Sequence, residues 1–137
     1  RFHPGGALGK QLYLRVSDFY KNNRRPFVYP DDSLQKVLIS ISSGRMGATV
    51  VLDAADRLTG IITDGDLRRF FEKSSSMTGV KASDLMHPNP RSIGPDKMAI
   101  EALKLMQDLS ISQLVVAEEN NYLGIIHLHD LIREGIV

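Results

Sequence analysis

Gly60-Ile61-Ile62-Thr63-Asp64-Gly65-Asp66-Leu67 and Gly124-Ile125-Ile126-His127-Leu128-His129-Asp130-Leu131 are one phrase written twice. Each leaves a glycine, passes two isoleucines and reaches a polar residue followed three positions later by an aspartate. That is an apolar strand running straight into a capped helix start. Outward from this phrase the duplication continues. Val50-Val51 answers to Val115-Val116, Pro30-Asp31 to Pro95-Asp96, and Val16-Ser17-Asp18 to Ala82-Ser83-Asp84. The offset falls from 66 residues at the start to 64 at the end, so a whole unit has been copied with two small deletions. Such a period is too long for stacked-repeat families. It suits a half-domain that pairs with its copy, leaving two equivalent clefts about a pseudo-two-fold axis where small ligands bind.

Bulk composition narrows the function classes. The chain has 137 residues with 42% hydrophobic and 24% charged, enough for a core and ordinary for a soluble protein. A net charge of +1 gives no electrostatic case for a nucleic-acid partner. No apolar run has the length to span a bilayer, so no membrane partner is expected. The absence of cysteine excludes disulfides and thiolate chemistry and agrees with a cytoplasmic location. The chain opens on Arg1, which reads as a piece of a longer protein.

Both copies follow one plan. In the first, Pro30-Asp31-Asp32 supplies turn and cap chemistry, and Leu34, Val37, Leu38 and Ile41 form one helical face ended by Ser43-Gly44. Strands are predicted over Ala48 to Leu52 and Leu58 to Ile62, with the polar turn Asp53 to Arg57 between them. Thr63 to Asp66 then opens a helix carrying Leu67, Phe70 and Phe71. In the second copy Ala99, Ala102, Leu103 and Met106 make the helical stripe. Leu114 to Ala117 and Tyr122 to Ile126 make the strands, and Leu131, Ile132 and Ile136 line a closing helix. The expected fold class is α+β, small sheets flanked by helices in two pseudo-two-fold related halves. The expected boundaries are 1–15 before the repeat, 16–73 as repeat 1, 74–81 as a linker rich in serine, and 82–137 as repeat 2.

Thr63-x-x-Asp66 is the leading candidate site. It has the spacing of a capping box, in which the two side chains satisfy backbone N–H groups at a helix start. It also follows a strand through Gly65, where free amides and the helix dipole favour phosphate, and an aspartate there can accept from both ribose hydroxyls. The two readings are compatible. Asp130 survives the duplication, whereas His127 replaces the threonine. His127 and His129 have the i, i+2 spacing of strand metal ligands, but the strand ends there and only Asp130 is near as a third donor. Polar ligand contacts or hydrogen bonding by the imidazoles are preferred, and neither metal nor cofactor is assigned. Arg68, two residues past Asp66, is within reach of a phosphate in the same cleft. His3-Pro4-Gly5-Gly6-Ala7-Leu8-Gly9 is a rigid, close-approach loop with no partner acid or base nearby in the chain.

The duplicated helix–strand–strand–helix plan, with its two aspartate phrases, resembles a tandem pair of cystathionine β-synthase (CBS) domains over residues 16 to 137. The resemblance implies regulatory binding of a nucleotide or nucleotide-like ligand in the clefts, with Thr63 and Asp66 on ribose and phosphate. Asp130 matches only in part, since His127 departs from the pattern. Phe2 to Gly9, leading into such a pair, is similar to the junction in the D-arabinose 5-phosphate isomerases, which place a sugar isomerase (SIS) domain first. That likeness implies a parent enzyme interconverting D-ribulose 5-phosphate and D-arabinose 5-phosphate for Kdo and lipopolysaccharide synthesis. Its active site would include His3, while this chain alone would not turn over substrate. It further implies CMP-Kdo as the favoured regulatory ligand and a homo-oligomer, a dimer of CBS pairs in a tetrameric parent. The alternatives are an adenine-nucleotide sensor of AMP or ATP and a purely structural oligomerisation module.

Overall fold

A strand whose side chains are buried on both faces needs a helix on one side and a partner sheet or loop on the other. The chain meets this need twice. A computed structural model describes residues 7–136. Along the chain run α1 (Ala7–Tyr13), β1 (Phe27–Val28), α2 (Leu34–Gly44), β2 (Ala48–Leu52), β3 (Leu58–Thr63), α3 (Asp64–Lys73), α4 (Ala82–Leu85), β4 (His87–Pro88), β5 (Ser92–Ile93), α5 (Ala99–Leu109), β6 (Gln113–Glu118), β7 (Asn121–His127) and α6 (Leu128–Arg133). Single 3-10 turns occupy Val16–Asp18 and Tyr20–Asn22. The α+β expectation holds: the sheets order as β1-β2-β3-β4 and β5-β6-β7, with β1 parallel to β2 and β5 parallel to β6.

Asp53 makes the β2–β3 hairpin. Its Oδ1 accepts from the Ala55 and Arg57 N–H groups, both at 2.9 Å, which fixes the turn between two apolar strands. Helix α2 starts one residue later than the cap chemistry of Pro30-Asp31-Asp32 suggests. Ser33 is the N-cap, accepting from the Lys36 N–H, while Asp32 accepts from the Tyr29 N–H. The helix ends through Arg45 in the left-handed region, not through Gly44. Gly44 is buried for a packing reason: a Cβ there would stand 3.0 Å from two ring carbons of Pro26. The apolar stripes are narrower than their spacing suggests, since Leu38, Phe71 and Ile132 are exposed. Ile136 is fully buried but lies past the end of α6.

Two compact units cut across the two copies. One comprises Arg25–Pro90 with Asn120–Tyr122; the other comprises, among the described residues, Arg91–Glu119, those from Leu123 onward and those before Arg25. Each unit therefore holds the leading segment of the opposite copy, and backbone hydrogen bonds show why. In the first unit, the Ala82 and Ser83 N–H groups donate to the Asp32 and Pro30 carbonyls at 2.8 and 3.0 Å. In the second, the Val16 and Ser17 N–H groups donate to the Lys97 and Pro95 carbonyls at 2.9 and 3.0 Å. Asp18 and Asp84 cap these segments alike, accepting from the Arg15 and Lys81 N–H groups. The repeated Ser-Asp and Pro-Asp pairs are thus two halves of one contact. Each unit has its own core, one around Val37, Ile41, Val51 and Ile62, the other around Leu103, Met106, Leu114 and Ile126.

Tyr122 belongs to the first unit, where its hydroxyl donates to the Pro26 carbonyl at 2.8 Å and the Arg25 guanidinium lies 4.6 Å from its ring centre. Burial pushes its phenol far above the ordinary range, so it stays a neutral donor. Tyr122→Phe is expected to lower unfolding stability by about 1 kcal/mol, the net worth of one buried hydrogen bond, measured by chemical denaturation. An unchanged midpoint would contradict that role.

Candidate functional site

The strand-to-helix phrase places its aspartates on the inner side of α3 and α6, where they are almost fully buried. In the first copy Thr63 is the N-cap. Its Oγ1 accepts from the Asp66 N–H, and Asp66 Oδ2 accepts in return from the Thr63 N–H at 2.8 Å and from its hydroxyl at 3.0 Å. The capping box of the sequence is present. The other carboxylate oxygen, Oδ1, accepts from Arg69 Nη2 at 2.7 Å and stands 2.9 Å from His87 Nε2. A carboxylate offers about four lone-pair positions, and here four donors face them. Asp66 is saturated from within.

The second copy repeats the design with one substitution. Asp130 Oδ2 accepts from the His127 N–H at 2.9 Å, and Oδ1 accepts from Arg133 Nη2 at 2.7 Å. Asn23 Nδ2 takes the position of the His87 imidazole, donating to Asp130 at 2.8 Å and to the Ile125 carbonyl at 2.9 Å. In the first unit, the His87 backbone does the latter job by pairing with Ile61. His87 and Asn23 both come from leading segments, so each aspartate is held by a residue of the opposite copy.

A cavity opens beside each aspartate. The first, about 380 Å³, is lined by Asp66, Arg69, Phe70, Lys73, Asp84 and His87 among others. The second, about 400 Å³, is lined by Asp18, Phe19, Asn23, Asp130, Arg133 and Glu134 among others. The positions correspond, yet the charges diverge. Arg69, Lys73 and His87 face two carboxylates in the first, whereas Arg133 faces three in the second. Cations offset the carboxylates in the first, whereas carboxylates outnumber the one cation in the second.

His127 caps α6 differently from Thr63. Its Nδ1 accepts from the His129 N–H at 3.0 Å, which requires an unprotonated Nδ1. Burial first, and then the neighbouring His129, lower its pKa, with Asp130 opposing and Arg133 adding to the fall. A histidine with a lowered folded-state value contributes stability above its ordinary value near 6.5, and that stability is lost as pH falls. The melting temperature is therefore expected to fall further between pH 7.5 and 5 in the wild type than in His127→Thr, whose hydroxyl caps at either pH. Parallel curves for the two proteins would contradict this.

Of the residues singled out in the sequence, Asp66 lines the first cavity and Asp130 the second, whereas Thr63, His127 and His129 line neither; Thr63 meets Asp66 at the start of α3, and His127, His129 and Asp130 meet at the start of α6. Arg68 is exposed, and it is Arg69, one position on, that reaches the carboxylate. His3 lies outside the described residues. Arg69, Lys73, His87, Asn23 and Arg133 were not singled out. A signal for two of them existed, because Arg69 and Arg133 align in the duplication while Arg68 aligns with Ile132.

Comparison with known proteins follows the same lines. The sequence profile of the CBS domain matches residues 16–73 and again 82–136. Over 136 residues, 98% of its length, the chain is 41% identical to the arabinose 5-phosphate isomerase KdsD of Yersinia pestis. Over 133 residues, 96% of its length, it is 43% identical to that of Francisella tularensis subsp. tularensis. It spans only 42% and 40% of those relatives. A CBS-domain containing protein from Agrobacterium tumefaciens superposes with a TM-score of 0.78 at 21% identity, covering 98% of each chain. A CBS domain protein from Pyrobaculum aerophilum complexed with AMP gives 0.73 at 18%, covering 86% of this chain and 90% of its own. The expected resemblance is borne out, and with profile matches that cover both copies, residues 16–73 and 82–136, the chain belongs to the CBS domain family.

Proposed function

We propose that this CBS pair is the ligand-sensing and assembly module of a D-arabinose 5-phosphate isomerase, and that its first-copy cavity binds a nucleotide or nucleotide-sugar. The observation that carries the reading is the divergence of two equivalent cavities. One keeps the aspartate–arginine pair and adds Lys73 and His87, which suits an anionic guest. Similarity to arabinose 5-phosphate isomerases supports the parent activity; that this activity interconverts D-ribulose 5-phosphate and D-arabinose 5-phosphate for Kdo and lipopolysaccharide synthesis in the cytoplasm is part of the same proposal. His3 would serve that chemistry in the parent, beside residues of an SIS domain. CMP-Kdo is the favoured ligand, since it presents a ribose, a phosphate and a carboxylate. Among the described residues no helix is long and apolar enough to cross a membrane.

A ribose diol reaches Asp66 only by taking the place of Arg69 or His87 at Oδ1, since the carboxylate is otherwise filled. Binding then breaks one ion pair and frees a cation, a local rearrangement through which a ligand can favour one arrangement of the pair. An adenine-nucleotide sensor is the second reading, favoured by the AMP complex of the Pyrobaculum protein and by that of CBSX2, a structure with a TM-score of 0.70. Titration calorimetry with CMP-Kdo and AMP in competition separates the two. Tighter CMP-Kdo binding, displaced poorly by AMP, is the expected result; preference for AMP supports the adenine sensor. If neither ligand binds, the module is an assembly device only. Self-association of the chain as a dimer of pairs is expected in sedimentation.

A further inference from the structure

A third cavity, about 610 Å³, runs between β1 and the side of α2 and shares no lining residue with either aspartate cavity. β1 is the terminal strand of its sheet. Along it Pro26 and Val28 are buried, while Phe27 and Tyr29 stand out at 38% and 39% exposure, and Ile39 lines the groove from α2 at 59%. The aromatic wall is set in place before anything binds. The Phe27 and Tyr29 rings meet edge to face at 5.7 Å, and the Tyr29 hydroxyl donates to Asp56 at 2.8 Å. The Arg25 guanidinium lies 5.3 Å from the Phe27 ring centre while donating to the Tyr122 carbonyl at 2.9 Å. Lys36, with a side chain 70% exposed, stands 3.7 Å from Asp32, so two cations face one carboxylate. The duplication shows that the fold does not need this wall. Phe27 pairs with Val50 and Ser92 with Val115, which makes Ser92 the counterpart of Phe27 and Gly94 that of Tyr29. Counted from the first residues of α2 and α5, Glu101 answers to Lys36 and Lys104 to Ile39. An exposed aromatic pair on an edge strand invites association, and the second copy is built without one.

We propose that this groove docks an extended segment of a partner protein, in which an apolar side chain is flanked by carboxylates. Phe27, Tyr29 and Ile39 take the apolar side chain, and Arg25 and Lys36 take the carboxylates. Arg25 to Tyr29 spans about 13 Å at the rise of a strand, room for four or five extended residues. A groove between an edge strand and a helix suits a peptide laid alongside β1. Pre-set rings and a stacked guanidinium lose little freedom on binding, and the excess of cations over carboxylate selects acidic segments over basic ones. This surface is independent of the ligand reading, since no group lining either aspartate cavity takes part in it.

The test uses the whole chain, with a displayed library of random octapeptides as the probe, then synthesis of the enriched sequences and chemical-shift mapping. Enriched sequences are expected to carry an aromatic or branched apolar residue flanked by Asp or Glu. They should shift Phe27, Tyr29 and Ile39 saturably and leave Thr63 to Lys73 unmoved. Phe27→Ser with Tyr29→Gly, the residues of the second copy, is expected to weaken binding at least about tenfold. Lys36→Glu, at an exposed position, is expected to weaken it about tenfold and to turn the selection towards basic peptides, with the fold retained by circular dichroism. Enrichment of no sequence, or of sequences that bind both variants as tightly as the wild type, overturns the proposal. So does 4-hydroxybenzoate saturating the same resonances when no peptide does, which makes the groove a small-molecule pocket. Loss of self-association in the Phe27→Ser, Tyr29→Gly variant overturns it in favour of a contact between copies. Nucleotide binding in the two variants should match the wild type, so the sensing function stands or falls separately.

Discussion

Replacing Asp66 with alanine is expected to abolish nucleotide binding and to lower stability by about 3 kcal/mol, the sum of a lost helix cap and buried donors left without an acceptor. The carboxylate takes the Thr63 N–H and hydroxyl on one oxygen and Arg69 with His87 on the other. Arg69 and His87 are exposed enough to regain water, so the loss comes chiefly from the cap and the Thr63 N–H. Urea denaturation measures the stability, and calorimetry measures binding well below the melting temperature, where the variant remains folded. Thr63→Val removes the hydroxyl but keeps the Asp66 acceptor for the backbone, and should cost about 1 kcal/mol with binding retained. A variant Asp66→Ala that binds ligand as well as the wild type would remove this residue from the site altogether.

Gly60→Val is expected to cost at least about 3 kcal/mol, by overpacking in a place where backbone cannot move aside. A Cβ at Gly60 would stand 2.5 Å from Met86 Sδ and 3.0 Å from the His87 carbonyl oxygen. The second of these belongs to β4, which pairs with β3 at this point, so relief means breaking the pairing of Gly60 with Pro88 and Ile61 with His87. The effect therefore propagates to the site, since His87 would leave Asp66. For a chain of this size the melting temperature should fall by roughly 12 °C. Its counterpart Gly124 gives the contrast: a Cβ there meets Tyr20 Cδ1 at 2.9 Å, a half-buried side chain that can turn. Gly124→Ala is expected to cost less than Gly60→Ala, and the reverse order would refute the reading of both glycines.

The phrase at Gly60 and Gly124 made most of the fold legible, because strand periodicity, a capped helix start and the repeated aspartate coincide there. The α2 and α5 stripes were legible for the same reason. What stayed hidden has a physical cause in each case. Strands β1, β4 and β5 have two residues each, too few to show alternation. The exchange of leading segments rests on backbone hydrogen bonds, such as that from Ser17 to Pro95, which leave no side-chain pattern. His87 and Asn23 reach their aspartates from opposite copies and occupy unlike local sequences, so neither spacing nor repetition marks them. Arg69 was visible in principle. Proximity to Asp66 pointed to Arg68, while alignment of the copies pointed one position on, to the residue that reaches the carboxylate at i+3.

Chemical-shift mapping of the isotopically labelled chain with CMP-Kdo and AMP is the most direct measurement. The shifts should cluster at Thr63 to Lys73 and at Asp84 to His87, saturate, and be missing from the equivalent stretch His127 to Glu134. Spectra unmoved by saturating ligand, or moved equally at both copies, would contradict a sensing site built into the first copy alone.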